Sequence, residues 1–122
     1  MIPSAEPSAL EFVYMHLFER SRKGVLTDQE VKALEDTLLE DPEDGDVMSQ
    51  TGGVRKSRVA NAGRGKRGSG RVAYLSVQAQ RTIYFLFAFP KNVQGNLTDE
   101  QKKTVRALVA EIRNERWPRK AL

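Results

Sequence analysis

The 122-residue sequence, 39% hydrophobic, is long enough for one core and too short for two ordinary domains. It has no cysteine, which excludes disulfide frameworks and thiol chemistry, and it has neither the roughly 18 consecutive apolar residues of a membrane span nor the basic-then-apolar start of a signal peptide. The formal net charge of +4 favours an anionic partner. We expect a cytoplasmic protein without a membrane partner. Its single domain is expected to cover residues 10–122, after a loose tail at residues 1–9.

The first half of the chain predicts a strand followed by a helix. Residues 10–18 are rich in aromatic and aliphatic side chains and favour a largely buried strand. Thr27 and Glu30 have the spacing of a capping box, so a helix is expected to begin there. Apolar residues recur at helical spacing until Asp41 and Pro42, where proline stops the helix.

Three strands and a second helix are predicted after residue 50. Residues 54–59, 71–77 and 82–89 have β-branched and aromatic composition, with connections too short for crossover helices, so an antiparallel meander is expected. Thr98 and Gln101 repeat the capping-box spacing, and this helix ends before Trp117. The order β-α-β-β-β-α predicts the α+β class, an antiparallel sheet with helices mainly packed on one side.

The charges are strongly segregated along the sequence. Residues 1–50 contain 4 Lys/Arg and 12 Asp/Glu, residues 51–91 contain 9 Lys/Arg and no acid, and residues 92–122 contain 7 and 4. A surface made only for solubility would mix the two signs, so the segregation indicates a basic surface for nucleic acid. The alternative is that the acidic and basic segments pack side by side and neutralise each other.

The basic stretch offers a phosphate-binding surface. Alternation along a strand places Lys56 and Arg58 on one face about 7 Å apart, close to the spacing of successive phosphates. The glycine-rich loop at residues 61–70 adds Arg64, Lys66 and Arg67. This loop also matches a dinucleotide fingerprint, but a strand follows it where that motif requires a helix, so we expect no nucleotide cofactor.

Conventional catalytic groups are scarce in this sequence. His16 is its single histidine and lies in an apolar run, so its expected role is packing at the edge of the core. The acids of residues 35–46 are explained by a solvated surface of the helix and its connector, so no metal site is expected. RNA cleavage requires deprotonation of a 2′-OH, stabilisation of the phosphorane and protonation of the leaving oxygen, and clustered Lys and Arg can serve all three. Lys56 is the candidate general base, because neighbouring cations disfavour a charged ammonium.

These segments, in their order and spacing, resemble the HigB branch of the RelE toxin superfamily over roughly residues 10–115. The similarity lies in Gly52-Gly53-Val54-Arg55-Lys56-Ser57-Arg58-Val59, in Gly70-Arg71-Val72-Ala73-Tyr74, in Phe89-Pro90-Lys91-Asn92 and in Leu97-Thr98. The resemblance implies the toxin of a type II toxin–antitoxin system, an endoribonuclease that cuts mRNA in the ribosomal A site by 2′-OH attack. It also implies a cognate antitoxin as partner, expected to be a HigA-like helix-turn-helix protein.

The resemblance assigns roles to four cations. It gives Lys56 the role of general base, Arg58 that of holding phosphate, Arg71 that of stabilising the transition state and Lys91 that of contacting the leaving group or phosphate. Further RNA or ribosome contacts are predicted at Arg55, Arg64, Lys66, Arg67, Tyr74 and Phe89. Phe87 is a third aromatic near the strand ends that could stack on a base, although core packing is the commoner use of such rings. The sequence departs from the family in two ways. Its last helix has no tyrosine, so either Phe89 or Trp117 stacks on the base or this contact is absent. Its loop between the first two hairpin strands is longer and more basic.

Two other interpretations stay open at this point. A non-catalytic basic module would bind RNA or DNA through phosphates, with salt-sensitive affinity and no cleavage. A protein-interaction module would dock an acidic partner through the same basic surface and would bind no nucleic acid.

Overall fold

The computed structural model describes residues 10–59, 70–90 and 97–115, so the predictions for Arg64, Lys66, Arg67, Lys91, Trp117 and the tail lie outside the described residues. The described elements, in chain order, are β1 (Glu11–Tyr14), α1 (His16–Ser21), α2 (Asp28–Glu40), β2 (Asp46–Val47), β3 (Arg55–Val59), β4 (Gly70–Val77), β5 (Thr82–Pro90) and α3 (Asp99–Glu115). The α+β class is confirmed. Among the described helices, none is both long and apolar enough to cross a bilayer.

The strands form one sheet in the order β1-β5-β4-β3-β2. Strands β2 to β5 are antiparallel neighbours, which confirms the expected meander for β3, β4 and β5. Strand β1 instead lies parallel to β5 at the edge of the sheet. The parallel pairing is possible because most of the domain, including α1 and α2, separates β1 from β5 along the chain.

The first strand is shorter than expected, because helix α1 begins at His16. The chain turns back after Met15, and the ring of Phe18 packs on Phe85 with centroids 5.2 Å apart. An apolar run by itself does not distinguish a buried strand from a buried helix. His16, expected to pack at the edge of the core, is exposed at the start of α1.

The helices cover both faces of the sheet, unlike the expected arrangement on mainly one side. Helices α1 and α2 contribute Phe18, Leu34 and Leu38 to one apolar cluster with Val72, Tyr74 and Phe85. Helix α3 contributes Val105, Val109 and Ile112 to the other cluster, with Ala73, Leu75 and Tyr84. Strands β4 and β5 contain continuous buried runs, which require cover on both faces.

Both predicted capping boxes are present. The backbone N–H of Glu30 donates to Thr27 Oγ1 at 3.1 Å, and the backbone N–H of Thr27 donates to Glu30 Oε1 at 2.9 Å. Thr98 and Gln101 form the same reciprocal pair at 2.9 and 3.1 Å. The two long helices therefore begin where the sequence indicates.

Thr27→Ala is expected to lower the free energy of unfolding by about 1 kcal/mol, because an N–H at the start of α2 loses its acceptor. Urea denaturation measures the change. Thr37→Ala is the matched control, since Thr37 is exposed within α2 and lies outside the cap. Equal midpoints for Thr27→Ala and the wild type would contradict this role of the cap.

Candidate functional site

Strands β3, β4 and β5 align two rows of side chains on the face of the sheet that carries α3. One row runs from Lys56 through Ala73 to Phe87, and the other runs from Arg58 through Arg71 to Phe89. Directly opposite residues of antiparallel strands project from the same face. Lys56, Arg58 and Arg71 therefore share one surface, which we call the cationic face.

The centre of the cationic face is a pair of opposed arginines. Arg58 and Arg71 are direct cross-strand partners, a relation that places their Cα atoms about 4.5–5.5 Å apart. Within the described ranges, neither forms an ion pair, and Arg71 Nε is buried with no hydrogen-bond partner. Like charges in this position destabilise a sheet. An anion that contacts both guanidinium groups would relieve the repulsion.

A carboxylate borders the cationic face at Lys56. Asp46 of β2 is the direct cross-strand partner of Lys56, so both side chains project from the same face, and Asp46 is exposed. The sequence pattern predicts a solvated surface for the acids of residues 35–46, so Asp46 was not among the predicted site residues. The sequence signal for the position of Asp46 is the Gly52-Gly53 pair, which permits a hairpin between β2 and β3.

The acidic connector, residues 41–47, pairs with β3 through Asp46 and Val47 and contacts the opposite face of β3 through Asp44. Ser57 Oγ donates to Asp44 Oδ2 at 3.3 Å, and Gln78 Nε2 donates to Glu43 Oε2 at 3.1 Å. Gly45 lies so close to β3 that an added Cβ would be 2.1 Å from the carbonyl oxygen of Lys56. The acidic and basic segments thus do pack side by side here, but no described acid pairs with Arg58 or Arg71.

Arg55 and Tyr74 hold this connector. The Arg55 guanidinium donates to the carbonyl of Gly45 at 2.7 Å and lies 3.6 Å from the Glu43 carboxylate. The Tyr74 hydroxyl accepts from the N–H of Gly45 at 3.0 Å, and burial raises the pKa of Tyr74. Tyr74 is 0% exposed, so the predicted RNA contact is corrected to a buried structural role, and Arg55 is directed away from the cationic face.

Phe89 is also placed differently from the prediction. It is 1% exposed and packs in the cluster beneath α3, so its ring offers no face for a base. The Phe87 ring stacks on the Phe89 ring, with the centroids 6.0 Å apart and an angle of 20° between the ring planes. The Phe87 side chain remains partly exposed. Phe89 lies opposite Arg71 but is buried, so Phe87, opposite Ala73, is the partly exposed ring at the border of the cationic face.

Comparison with known proteins gives two findings. A family model described as the RelE toxin of the RelE/RelB toxin–antitoxin system matches residues 12–116, a span that runs from β1 through α3. Among solved structures, a mutant of the E. coli toxin RelE in the free state matches with a TM-score of 0.48 and 13% sequence identity, covering 71% of this chain and 88% of that chain.

Proposed function

Because this chain belongs to the RelE toxin family, as its match over residues 12–116 establishes, we propose that it is an endoribonuclease that cleaves mRNA on the ribosome and thereby inhibits translation. The observation that carries this proposal is the Arg58–Arg71 pair. Two opposed guanidinium groups, without an acidic partner in the described part of the chain, suit the oxygens of one phosphate.

The proposed reaction is an attack of the ribose 2′-oxygen on the adjacent phosphorus. The O2′–P bond forms and the P–O5′ bond breaks, which leaves a 2′,3′-cyclic phosphate and a 5′-hydroxyl. Negative charge grows on the phosphate oxygens in the transition state, where Arg58 and Arg71 would donate hydrogen bonds. Lys56 adds a third positive charge beside the pair.

The cationic face is proposed to supply this charge stabilisation without a metal ion. Within the described residues, no three His, Asp or Glu side chains are grouped so that they could hold one. Lys91 remains a predicted contact to the leaving group, and Arg64, Lys66 and Arg67 remain predicted contacts to ribosomal RNA.

The proposed partners follow from the family and from the charge of the site. A cognate antitoxin would neutralise the toxin, and we propose a HigA-like helix-turn-helix protein for this role, which would place the chain in the HigB branch. The substrate is mRNA on the ribosome, so the proposed location is the cytoplasm.

Induced expression in a bacterium, with mapping of mRNA 5′ ends, tests the proposed function. The wild type is expected to arrest growth and to produce new ends phased with codons, whereas Lys56→Ala/Arg71→Ala produces neither. Arg20→Ala/Lys23→Ala is the matched control, because it removes two exposed cations from outside the cationic face. Unchanged mRNA ends at confirmed expression of the wild type would overturn the proposal, and growth arrest without new ends would favour a non-catalytic RNA-binding module.

A further inference from the structure

The proposed reaction needs a proton acceptor, and the cationic face offers a carboxylate beside the predicted base Lys56. Arginine is not deprotonated in proteins, and lysine ammonium groups are ordinarily protonated at neutral pH. A carboxylate is ordinarily ionised at that pH and accepts hydrogen bonds without donating any. Among the described residues directly opposite the three cations, Asp46 is the one carboxylate.

We propose that Asp46 is a catalytic residue that accepts the proton of the attacking 2′-OH. This inference rests on the proposed ribonuclease function. It replaces Lys56 as the general base and keeps Lys56 as a cation of the site. The geometry that carries it is the β2–β3 register, which places Asp46 directly opposite Lys56 on the cationic face.

The two ends of the cationic face suit different parts of a nucleotide. Arg58 and Arg71 are both positive and attract the phosphate, whereas the opposed charges of Asp46 and Lys56 offset each other and suit a neutral hydroxyl. The two rows are two residues apart along β3, a separation of about 7 Å by strand rise. A ribose bound with its phosphate at the arginine pair would therefore direct its 2′-OH towards Asp46.

The proton and the electrons are then fully assigned. The 2′-oxygen gives its proton to the Asp46 carboxylate as the O2′–P bond forms, and the Lys56 ammonium stabilises the negative charge that develops on that oxygen. The P–O5′ bond breaks with its electron pair on O5′, which takes a proton from water at the exposed face, and the hydroxide so formed takes the proton from Asp46 and restores the carboxylate. Because deoxyribose lacks the hydroxyl that Asp46 contacts, the same residue would make the site select RNA over DNA.

The fold holds Asp46 in place from both sides, as a positioned catalytic group requires. On one side, Gly45 is fixed by the Tyr74 hydroxyl and the Arg55 guanidinium and lies against the carbonyl of Lys56. On the other side, the N–H of Met48 donates to the carbonyl of Val54 at 2.8 Å. A strand of only two residues thus has a defined register on β3.

The inference is tested by single-turnover cleavage of a defined mRNA bound to ribosomes. The toxin concentration is varied, so that the maximal rate and the half-saturating toxin concentration are measured separately. Asp46→Asn keeps the size of the side chain and removes its charge. The maximal rate is expected to fall about 10²-fold, because the general base is lost. The half-saturating concentration should stay unchanged or fall, because one negative charge near the bound phosphates has been removed.

Two further variants complete the test. Asp46→Glu is expected to recover part of the maximal rate, since a carboxylate is restored. Asp36→Asn, which removes an exposed carboxylate from α2, should match the wild type. Circular dichroism checks that each variant is folded. If Asp46→Asn is not folded, Asp46→Ser serves as the second uncharged variant.

The outcomes separate the two proposals. If the wild type leaves the programmed mRNA intact, the proposed function fails and this inference fails with it. If the wild type cleaves and the folded, uncharged variant keeps the wild-type maximal rate, this inference alone is overturned. A lowered maximal rate that Asp46→Glu restores in part supports it.

Discussion

Arg71→Met is expected to lower the maximal rate of mRNA cleavage about 10²–10³-fold, the usual effect of removing one donor that stabilises transition-state charge. The same substitution is expected to leave the free energy of unfolding unchanged or to raise it by about 0.2–1 kcal/mol, because it removes a like-charge cross-strand pair. Methionine keeps the apolar stem of the side chain and removes the buried, unpaired Nε. Activity should therefore fall without a loss of stability.

Single-turnover cleavage and urea denaturation of the same preparations measure both quantities. Arg20→Met is the matched control, because Arg20 is exposed on α1 and lies away from the cationic face. A loss of activity accompanied by a comparable loss of stability would mean that Arg71 supports the fold. Retained activity in a folded Arg71→Met protein would remove the Arg58–Arg71 pair from the mechanism.

The local pattern of the sequence predicted most of the regular structure. The capping boxes at Thr27 and Thr98 and the composition of β3, β4 and β5 are local signals, and the elements begin close to where they indicate. Helix α1 was missed because an apolar run has no period that separates strand from helix. Strand β2 was missed because two residues cannot display alternation, so its pairing depends on contacts made by its neighbours.

The side on which each helix packs required tertiary information. Alternation cannot assign a face to a strand that is apolar on both sides, and β5 is buried almost throughout. The hydrophobic stripe of α3 therefore indicated a buried face without indicating which side of the sheet it covers. The structure places it on the side opposite α1 and α2.

The sequence predicts which types of residue form the candidate site. It does not predict which of them lie opposite each other on neighbouring strands. Alternation along β3 correctly placed Lys56 and Arg58 on one face. The opposition of Arg58 and Arg71 depends on the β3–β4 register, which the sequence does not encode locally. Tyr74 is predicted to contact RNA because it is an aromatic near a strand end, whereas the fold uses its hydroxyl to hold Gly45.

Gly45 connects the fold to the chemistry, because it allows β2 to approach β3. An added Cβ would lie 2.1 Å from the carbonyl oxygen of Lys56 and 2.6 Å from its carbonyl carbon, and both atoms belong to a backbone that is paired on its other side with β4. Neither strand can yield easily. A methyl group at this position must therefore move the acidic connector, and Asp46 is the next residue along it.

Gly45→Ala is accordingly expected to lower the free energy of unfolding by about 1–3 kcal/mol, the usual cost of overpacking. It is also expected to reduce the maximal cleavage rate of the folded protein about 10²-fold, because a displacement of about 1 Å in a catalytic group has that effect. Urea denaturation and single-turnover cleavage at a temperature where the variant is folded measure the two changes separately.

Gly24→Ala is the control that separates displacement from a general loss of stability. Gly24 has a φ of +76° and no atom within 4 Å of an added Cβ, so alanine there introduces backbone strain of about 1–2 kcal/mol without moving a neighbour. This variant should lose stability and keep the wild-type cleavage rate when folded. If Gly45→Ala behaves in the same way, the connector stabilises the sheet without positioning Asp46. If only Gly45→Ala loses its rate, the approach of β2 to β3 is what places the carboxylate for the reaction.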